Sequence, residues 1–381
     1  MINYVLIVVT FIVLCIGAIR VMKRIKRKKQ SPSPYIDALH LLLEGKKDEA
    51  LDQLKRTVKT DTENIMAYIQ LGNLFREKGF PIRAAKIHRN LLVRGELSDR
   101  EISSILYHLV LDYKSSNNLD RAIEMAERLT NRAKKNIEHQ QLLLSLYEEK
   151  GEWDKALFYQ QSINKWRRKK NQNVLALYKV HSGLVFTKKG AEREGRIRFR
   201  EAMKLNKKCI PAYLYLGDSY RREGRDNNAY HVWREFTQIN PEGAHLAFQR
   251  LRDVLYALGK FSEIEEIYQC VIEKKPKAPN AALNLAELYK KQGKLDQALD
   301  LCRTILEAHP ESSEGRYLLV QLLVEKGEKS QALEEALQIL NGTIAQESLF
   351  HCSQCGFESK EPLWHCPQCR QWDTFLTEKK Q

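Results

Sequence analysis

Residues 213–233 decide the fold of this chain and read YLYLGDSYRREGRDNNAYHVW. Two helical patterns flank one glycine, Gly224, which can adopt the left-handed conformation that often ends a helix. Small residues at Gly217 and Ala229 allow two antiparallel helices to approach closely, while Tyr220 and Trp233 are large enough to fill the gap between hairpins. The stretch therefore predicts a helical hairpin.

The same plan recurs along the chain, for example in NLAELYKKQGKLDQALDLC at residues 284–302. Turn residues follow at steps of 34, 38, 34, 39, 34, 35, 34 and 34: Gly45, Gly79, Asn117, Gly151, Gly190, Gly224, Gly259, Gly293 and Gly327. A period near 34 is typical of stacked helical hairpins, and nine fit the chain. The two longer steps predict loop insertions near residues 94–99 and 167–173. Three prolines are expected to stop the second helix of their repeats: Pro241, Pro276 and Pro310.

Composition agrees with an all-α fold, since the 381 residues include 18 glycines and 10 prolines, fewer than sheets and loops usually need. The pattern resembles the tetratricopeptide repeat family, and its signature places are held by Leu216, Gly217, Tyr220, Gly224, Ala229, Trp233 and Pro241. We therefore predict a tetratricopeptide repeat solenoid of about nine hairpins over residues 35–345. Such an array has an extended concave groove that binds peptides or protein surfaces.

Catalytic motifs are missing from the sequence, which has no nucleophile elbow, phosphate-binding glycine loop, dinucleotide fingerprint or zinc-protease helix. His88, His108 and His231 lie inside helical patterns and are expected to be ordinary packed or surface side chains. We therefore predict a binding protein and no enzyme.

The N-terminus has the features of a membrane span. Residues 1–19 contain no charged side chain and are long enough to cross a bilayer core as a helix. Seven cations follow within residues 20–29, whereas a secretory signal would carry its cations first. We predict a transmembrane helix at residues 1–20, a basic juxtamembrane segment and linker at residues 21–34, and a cytoplasmic remainder. A buried core helix is the alternative, and the cations after the run disfavour it.

Four cysteines near the C-terminus form two Cys-x-x-Cys pairs within FHCSQCGFESKEPLWHCPQCRQW, residues 350–372. Cys352, Cys355, Cys366 and Cys369 can converge as four thiolates on one ion, so residues 346–381 are predicted to be a rubredoxin-like, zinc-ribbon metal-binding domain. A redox dithiol or disulfide pair is disfavoured because the predicted compartment is reducing. Gly356 allows the first tight turn and Pro367 stiffens the second. Four cysteines leave no open coordination position, which indicates a structural metal.

Zinc and iron both suit four thiolates, and zinc is favoured. His351 and His365 are expected to be bystanders. We also expect this metal knuckle to cap the last repeat helix, residues 332–340, through bulky side chains such as Trp364 and Trp372.

Nucleic-acid binding is an alternative reading, because the net charge is +15 and basic runs occur at residues 166–170 and 188–200. Charged runs on repeat helices are usually solvated faces, however, and topology explains the N-terminal cations. A metal-dependent enzyme is a third reading, which the closed four-cysteine site disfavours.

The whole chain resembles the lipopolysaccharide assembly protein B family of Gram-negative bacteria. The most specific pieces are LGNLFREKG with IHRNLL, within residues 71–92, and the two cysteine pairs, within residues 352–372. The resemblance implies an inner-membrane adaptor that brings an FtsH-type AAA+ protease to the deacetylase that commits precursor to lipid A. Other lipopolysaccharide assembly proteins and acidic lipids are further expected partners, and nucleic acid is not expected.

Overall fold

The computed structural model describes residues 34–168, 171–276, 279–341 and 350–376. They form two compact units that divide between Lys150 and Gly151. The first unit contains helices α1 (Pro34–Leu43), α2 (Lys47–Thr60), α3 (Ile65–Glu77), α4 (Pro81–Leu91), α5 (Asp99–Ser115), α6 (Leu119–Arg132) and α7 (Ile137–Lys150).

The second unit begins with helices α8 (Trp153–Arg167), α9 (Gln172–Lys188), α10 (Glu192–Leu205), α11 (Ile210–Arg222), α12 (Asp226–Ile239) and α13 (His245–Ala257). It continues with α14 (Glu263–Lys274), α15 (Pro279–Lys291), α16 (Leu295–Ala308), α17 (Ser313–Lys326) and α18 (Lys329–Asn341). Eighteen helices in the described part of the chain are the number that nine two-helix repeats require, which confirms the helical array.

The turn inside each hairpin contains one residue in the left-handed conformation, at the position that the repeat spacing predicts. All nine turn positions have positive φ, from 57° at Asn117 to 89° at Gly327. At Gly224 the glycine N–H donates to the Arg221 carbonyl and the next N–H donates to the Tyr220 carbonyl, both at 3.0 Å. These two hydrogen bonds satisfy carbonyl groups that would otherwise lack a donor at the end of the helix. Asn117 replaces glycine because its short polar side chain tolerates the same conformation.

The loop insertion predicted near residues 94–99 is confirmed, whereas the one predicted near residues 167–173 is wrong, because only residues 168–171 separate α8 from α9 and the extra length of that repeat lies in its longer helices. Residues 92–98 connect α4 to α5, and both α5 and α9 are 17 residues long. The three prolines stand two residues beyond the ends of α12, α14 and α16. Proline disfavours continuation of a helix, which agrees with the ends of these three second helices.

Large side chains pack over glycine within several hairpins. A Cβ on Gly217 would lie 2.1 Å from the Trp233 indole, whose Nε1 donates to the Leu214 carbonyl at 3.2 Å. Phe199 covers Gly183 and His88 covers Gly72 in the same way. Trp233 therefore packs between the two helices of its own hairpin, so the expectation that it fills the gap between hairpins is wrong.

The C-terminal knuckle is a three-stranded antiparallel sheet with strand order β2-β1-β3. Its strands are β1 (Phe350–Cys352), β2 (Glu358–Ser359) and β3 (Phe375–Leu376), and an isolated bridge joins His365 to Trp372. The predicted transmembrane helix at residues 1–20 and the basic stretch after it lie outside the described residues. Within the described ranges, no helix combines the length and apolar character needed to cross a membrane.

Candidate metal centre

The first cysteine turn is held by backbone hydrogen bonds around Cys352. The Cys352 N–H donates to the Phe357 carbonyl, and the Gly356 N–H donates back to the Cys352 carbonyl, both at 2.9 Å. Gly356 has φ +73°, so glycine provides the left-handed residue that closes the turn without strain. The turn places the thiols of Cys352 and Cys355 on one side.

The second turn repeats this arrangement with one chemical difference. The Cys366 N–H donates to the Gln371 carbonyl at 2.9 Å, and the Arg370 N–H donates to the Cys366 carbonyl at 3.0 Å. Arg370 occupies the place of Gly356 with φ +58°, a conformation uncommon for a residue with a Cβ. The imidazole Nε2 of His365 lies 3.1 Å from the Arg370 carbonyl and helps to hold it.

The four sulfur atoms lie within 4.8 Å of one another. Cys352 Sγ is 3.6 Å from Cys369 Sγ, and Cys355 Sγ is 3.6 Å from Cys366 Sγ. A tetrahedral ion with metal–sulfur bonds of 2.3 Å separates its sulfurs by about 3.8 Å. The donor set therefore fits one four-coordinate ion. Four cysteines form a rubredoxin-like metal-binding site, and the histidines His351 and His365 are not among its donors.

The acidity of the thiols shows why the site needs a cation. Burial opposes ionisation of Cys352, but hydrogen bonds from Thr374 and from the N–H groups of Gln354 and Cys355 lower its pKa to about 6. The N–H of Gln371 favours the Cys369 thiolate, yet burial and the neighbouring sulfurs raise the pKa of Cys369 to about 12. Without a cation the cluster therefore resists a second negative charge, whereas a bound metal lets all four thiols ionise.

Trp372 attaches the knuckle to the helical array of the second unit. Its ring centroid lies 4.8 Å from Tyr178, 5.1 Å from His181 and 5.9 Å from Trp153. His365 stacks on the same indole at 4.3 Å. Burial, with the charges of His365 and Lys188, lowers the pKa of His181 to about 4. His181 is therefore neutral at pH 7, which suits its place among aromatic rings.

Polar contacts fix the orientation of the same interface. Asn173 donates through Nδ2 to the Asp373 carboxylate and accepts from Asn206 Nδ2 at 2.8 Å. Trp364 hydrogen-bonds Tyr215, whose pKa is raised by burial. These contacts place the knuckle against the first helices of two hairpins, α9 and α11.

The predicted cap on the last repeat is therefore wrong in its location. Trp364 and Trp372 contact helices between residues 153 and 222, and both side chains are half-buried. Bulky apolar residues in a short domain indicate that it packs against something, but they do not say against which repeat. Sequence reasoning also missed Trp153, Tyr178 and His181. The one available signal for this docking site was Trp153, a large aromatic residue at the start of a helix, two residues after Gly151.

The basic run at residues 188–200 is largely engaged inside the array. Arg196 is buried, with Nη1 2.9 Å from Glu223, and Arg198 contacts Asp154 and Glu201 at 3.3 and 3.1 Å. The Arg198–Asp154 pair joins α10 to α8, and the Arg198–Glu201 pair lies within α10, so the run gives no specific support to nucleic-acid binding.

Comparison with known protein families agrees with this architecture. A model of the rubredoxin metal binding domain matches residues 350–376. A tetratricopeptide repeat model matches residues 255–322 and 291–347.

Similar proteins with curated names were also found. Lipopolysaccharide assembly protein B of Escherichia coli K12 is 25% identical over 254 residues, which are 67% of this chain and 65% of that protein. The protein of the same name from Haemophilus influenzae is 24% identical over 55% of this chain and 54% of that protein. The alignments thus span less than two thirds of these relatives. The crystal structure of MamA is similar at 17% identity over 42% of this chain and 93% of that chain, with a TM-score of 0.32, too low to carry an argument.

Three observations agree on one kind of protein. The repeats have the expected period, a rubredoxin-type domain follows them, and the similar proteins share one name. In both its repeats and its metal-binding domain, the chain is similar to lipopolysaccharide assembly protein B.

Proposed function

We propose that this protein is a non-enzymatic adaptor of the bacterial inner membrane that regulates lipopolysaccharide synthesis. In this proposal residues 1–20 anchor the chain and the helical array in the cytoplasm binds partner proteins. The partners are an FtsH-type AAA+ protease and the UDP-3-O-acyl-N-acetylglucosamine deacetylase that commits precursor to lipid A. The names of the relatives support the link to lipopolysaccharide, and the family resemblance suggests the two partners.

The observation that carries the adaptor proposal is the way the knuckle is built into the array. Its metal site is closed by four thiols, and Trp372 inserts among Trp153, Tyr178 and His181. A closed site provides no position for substrate, so its metal stabilises a fold, on the order of 10 kcal/mol for sites of this type. We infer that the metal holds a composite surface of knuckle and repeats in the shape that partners recognise. Zinc is our proposed ion.

First helices of successive repeats also carry polar links that keep a binding surface rigid. Arg250 Nε donates to Asp218 at 2.8 Å, Arg252 Nη1 donates to Asn284 at 3.0 Å, and Lys290 Nζ lies 3.0 Å from Glu325. Each pair joins one repeat to the next. A rigid array presents its partner groups with little entropy loss on binding.

Anchoring gives such an adaptor its effect. Two proteins held on one membrane-bound scaffold meet at an effective concentration far above that of free diffusion, often millimolar for short tethers. A soluble deacetylase would thereby be delivered to a protease embedded in the same membrane. The array needs no catalytic group for this role.

The test is to capture the partners of the full chain in the native host and to measure the half-life of the deacetylase there. We expect crosslinking of membranes, followed by affinity capture of the full chain, to recover both the protease and the deacetylase. Depletion of the chain should lengthen the half-life of the deacetylase severalfold. Neither partner in the captured material, together with an unchanged half-life, would refute the proposal. An unrelated soluble protein that carries the same tag is the control for non-specific capture.

A further inference from the structure

A cationic groove in the first unit is not used by the function proposed above. It lies between α4 and the start of α6 and has a volume of about 370 Å³. Its lining includes four cations and an exposed isoleucine: Ile82, Arg83, Lys86, Arg89 and Arg121. Tyr113 and the helix cap residue Asn118 complete the floor.

Within the described part of the chain, the four cations of this groove lack carboxylate partners. Among the described residues, no Asp or Glu oxygen lies within ion-pair distance of any of them. Other cations of the same unit are paired, as Arg132 is with Asp99 and Lys150 with Asp120. Four unpaired cations around one cavity make a local positive potential, which favours an anionic occupant.

Apolar side chains stand beside these cations and are open to solvent. Ile82 is 76% exposed and Phe80 45%. The Arg83 guanidinium lies 5.0 Å over the Phe80 ring, and Arg121 lies 5.7 Å from Tyr113. Exposed aliphatic and aromatic groups interleaved with Lys and Arg are typical of surfaces that bind anionic lipid head groups.

We propose that this groove binds the head groups of anionic phospholipids and holds the first unit against the membrane surface. The inference rests on the proposed function, because it needs the chain to be anchored by residues 1–20. Residues 21–33, thirteen in number, join that anchor to α1, and a chain of that length spans at most about 45 Å, so the first unit stays within reach of the bilayer. Charge complementarity selects acidic lipid over neutral lipid.

The experiment uses the full chain in nanodiscs, with a benzophenone amino acid at position 82. One set of nanodiscs contains phosphatidylcholine alone, and the other contains one part in three of phosphatidylglycerol. Irradiation should give a lipid adduct in the anionic nanodiscs. The double variant R83E/R89E should lower the yield at least about fivefold, as loss of charge attraction to an acidic surface predicts. The matched control R56E/K59E reverses two exposed cations of α2 and should leave the yield unchanged.

Failure of the two proposals can be told apart. A chain that does not enter nanodiscs at all overturns the anchor in the proposed function. A chain that enters them but gives equal adducts in neutral and anionic lipid, or no adduct, overturns the groove assignment alone. An adduct in native membranes that contains protein and no lipid also overturns it, in favour of an acidic protein partner.

Discussion

Asp112 is a fully buried carboxylate at the contact between the second and third hairpins. It accepts from Arg76 Nη1 at 2.6 Å and from His88 Nδ1 at 2.5 Å. The other ring nitrogen of His88, Nε2, lies 3.1 Å from the Ile69 carbonyl. Both ring nitrogens thus face oxygen atoms of the protein. The contiguous pieces LGNLFREKG and IHRNLL, singled out in the sequence, supply two members of this network.

Removal of the carboxylate should destabilise the first unit strongly. Asp112→Ala leaves the Arg76 guanidinium and the His88 ring without their partner, and breaking such a buried pair costs about 3–5 kcal/mol. Hydrogen exchange of amides in α3, α4 and α5 would measure the loss. Asp120→Ala is the control, because Asp120 pairs with Lys150 at the surface and should cost about 0.5 kcal/mol or less. Equal effects of the two substitutions would contradict the importance of the buried network.

His108 makes the first unit sensitive to acid. Burial, together with the charges of His88 and Arg76, lowers the pKa of His108 from 6.5 to about 4, although Asp112 acts in the opposite direction. Its Nδ1 has no hydrogen-bond partner among the residues that the structure describes. Because the folded state binds this proton less readily than the unfolded state, the stabilisation is complete above pH 6.5 and is lost as the pH falls towards 4.

We therefore expect His108→Leu to remove part of the acid sensitivity of the first unit. Between pH 6.5 and 4 the wild type should lose about 0.5–1 kcal/mol per pH unit from this group, after allowance for its partial exposure. Urea unfolding of the first unit across this range is the measurement. His40→Leu, at an exposed histidine of α1, should keep the wild-type slope. Parallel slopes for wild type and His108→Leu would show that another group is responsible.

Helix turns and metal turns were predictable because their chemistry is local. A left-handed residue is needed wherever one helix ends and the next begins, so the spacing of Gly45, Gly79 and their equivalents gave every hairpin. The cysteine pairs likewise carry their geometry within a few residues. Contact of the knuckle with α9 and α11 is not local, since Trp372 meets Tyr178 across nearly two hundred residues of sequence. No short pattern encodes such a pairing, which explains the error about the cap.

Loss of one metal ligand should affect this distant contact as well as the knuckle. Cys366→Ser removes a buried thiolate, so we expect loss of the metal, unfolding of the three strands and release of Trp372 from α9. Far-ultraviolet circular dichroism should keep most of its helical signal, because repeats are stabilised by their neighbours. Amides of α9 should exchange faster, and metal content should fall below one ion per chain.

Cys270→Ser is the matched control for this substitution. Cys270 is a half-buried cysteine of α14, outside the metal cluster, and its replacement should change neither metal content nor exchange in α9. Stoichiometric metal in Cys366→Ser would contradict the four-thiolate site. Metal loss without faster exchange in α9 would show that docking does not depend on the metal.

At the scale of the whole molecule, stability and position have separate sources. Each unit has its own apolar core, built around residues such as Leu54 and Leu74 in the first and Trp233 and Leu251 in the second. These cores lie within the helical repeats. Folding of the array therefore should not require residues 1–29, whose proposed role is to place the array beside its membrane partner.

Deletion of residues 1–29 should therefore leave a soluble, folded, helical protein that has lost regulatory activity at native abundance. Loss of the tether lowers the effective concentration at the protease from about millimolar to that of the free fragment, so partner binding persists while delivery fails. The measurements are circular dichroism of the fragment and the half-life of the deacetylase in cells. An unrelated single-pass helix in place of residues 1–20 should restore regulation, since only position is required. Full activity of the soluble fragment would refute the tether, and failure of the foreign helix would show that residues 1–20 themselves contact a partner.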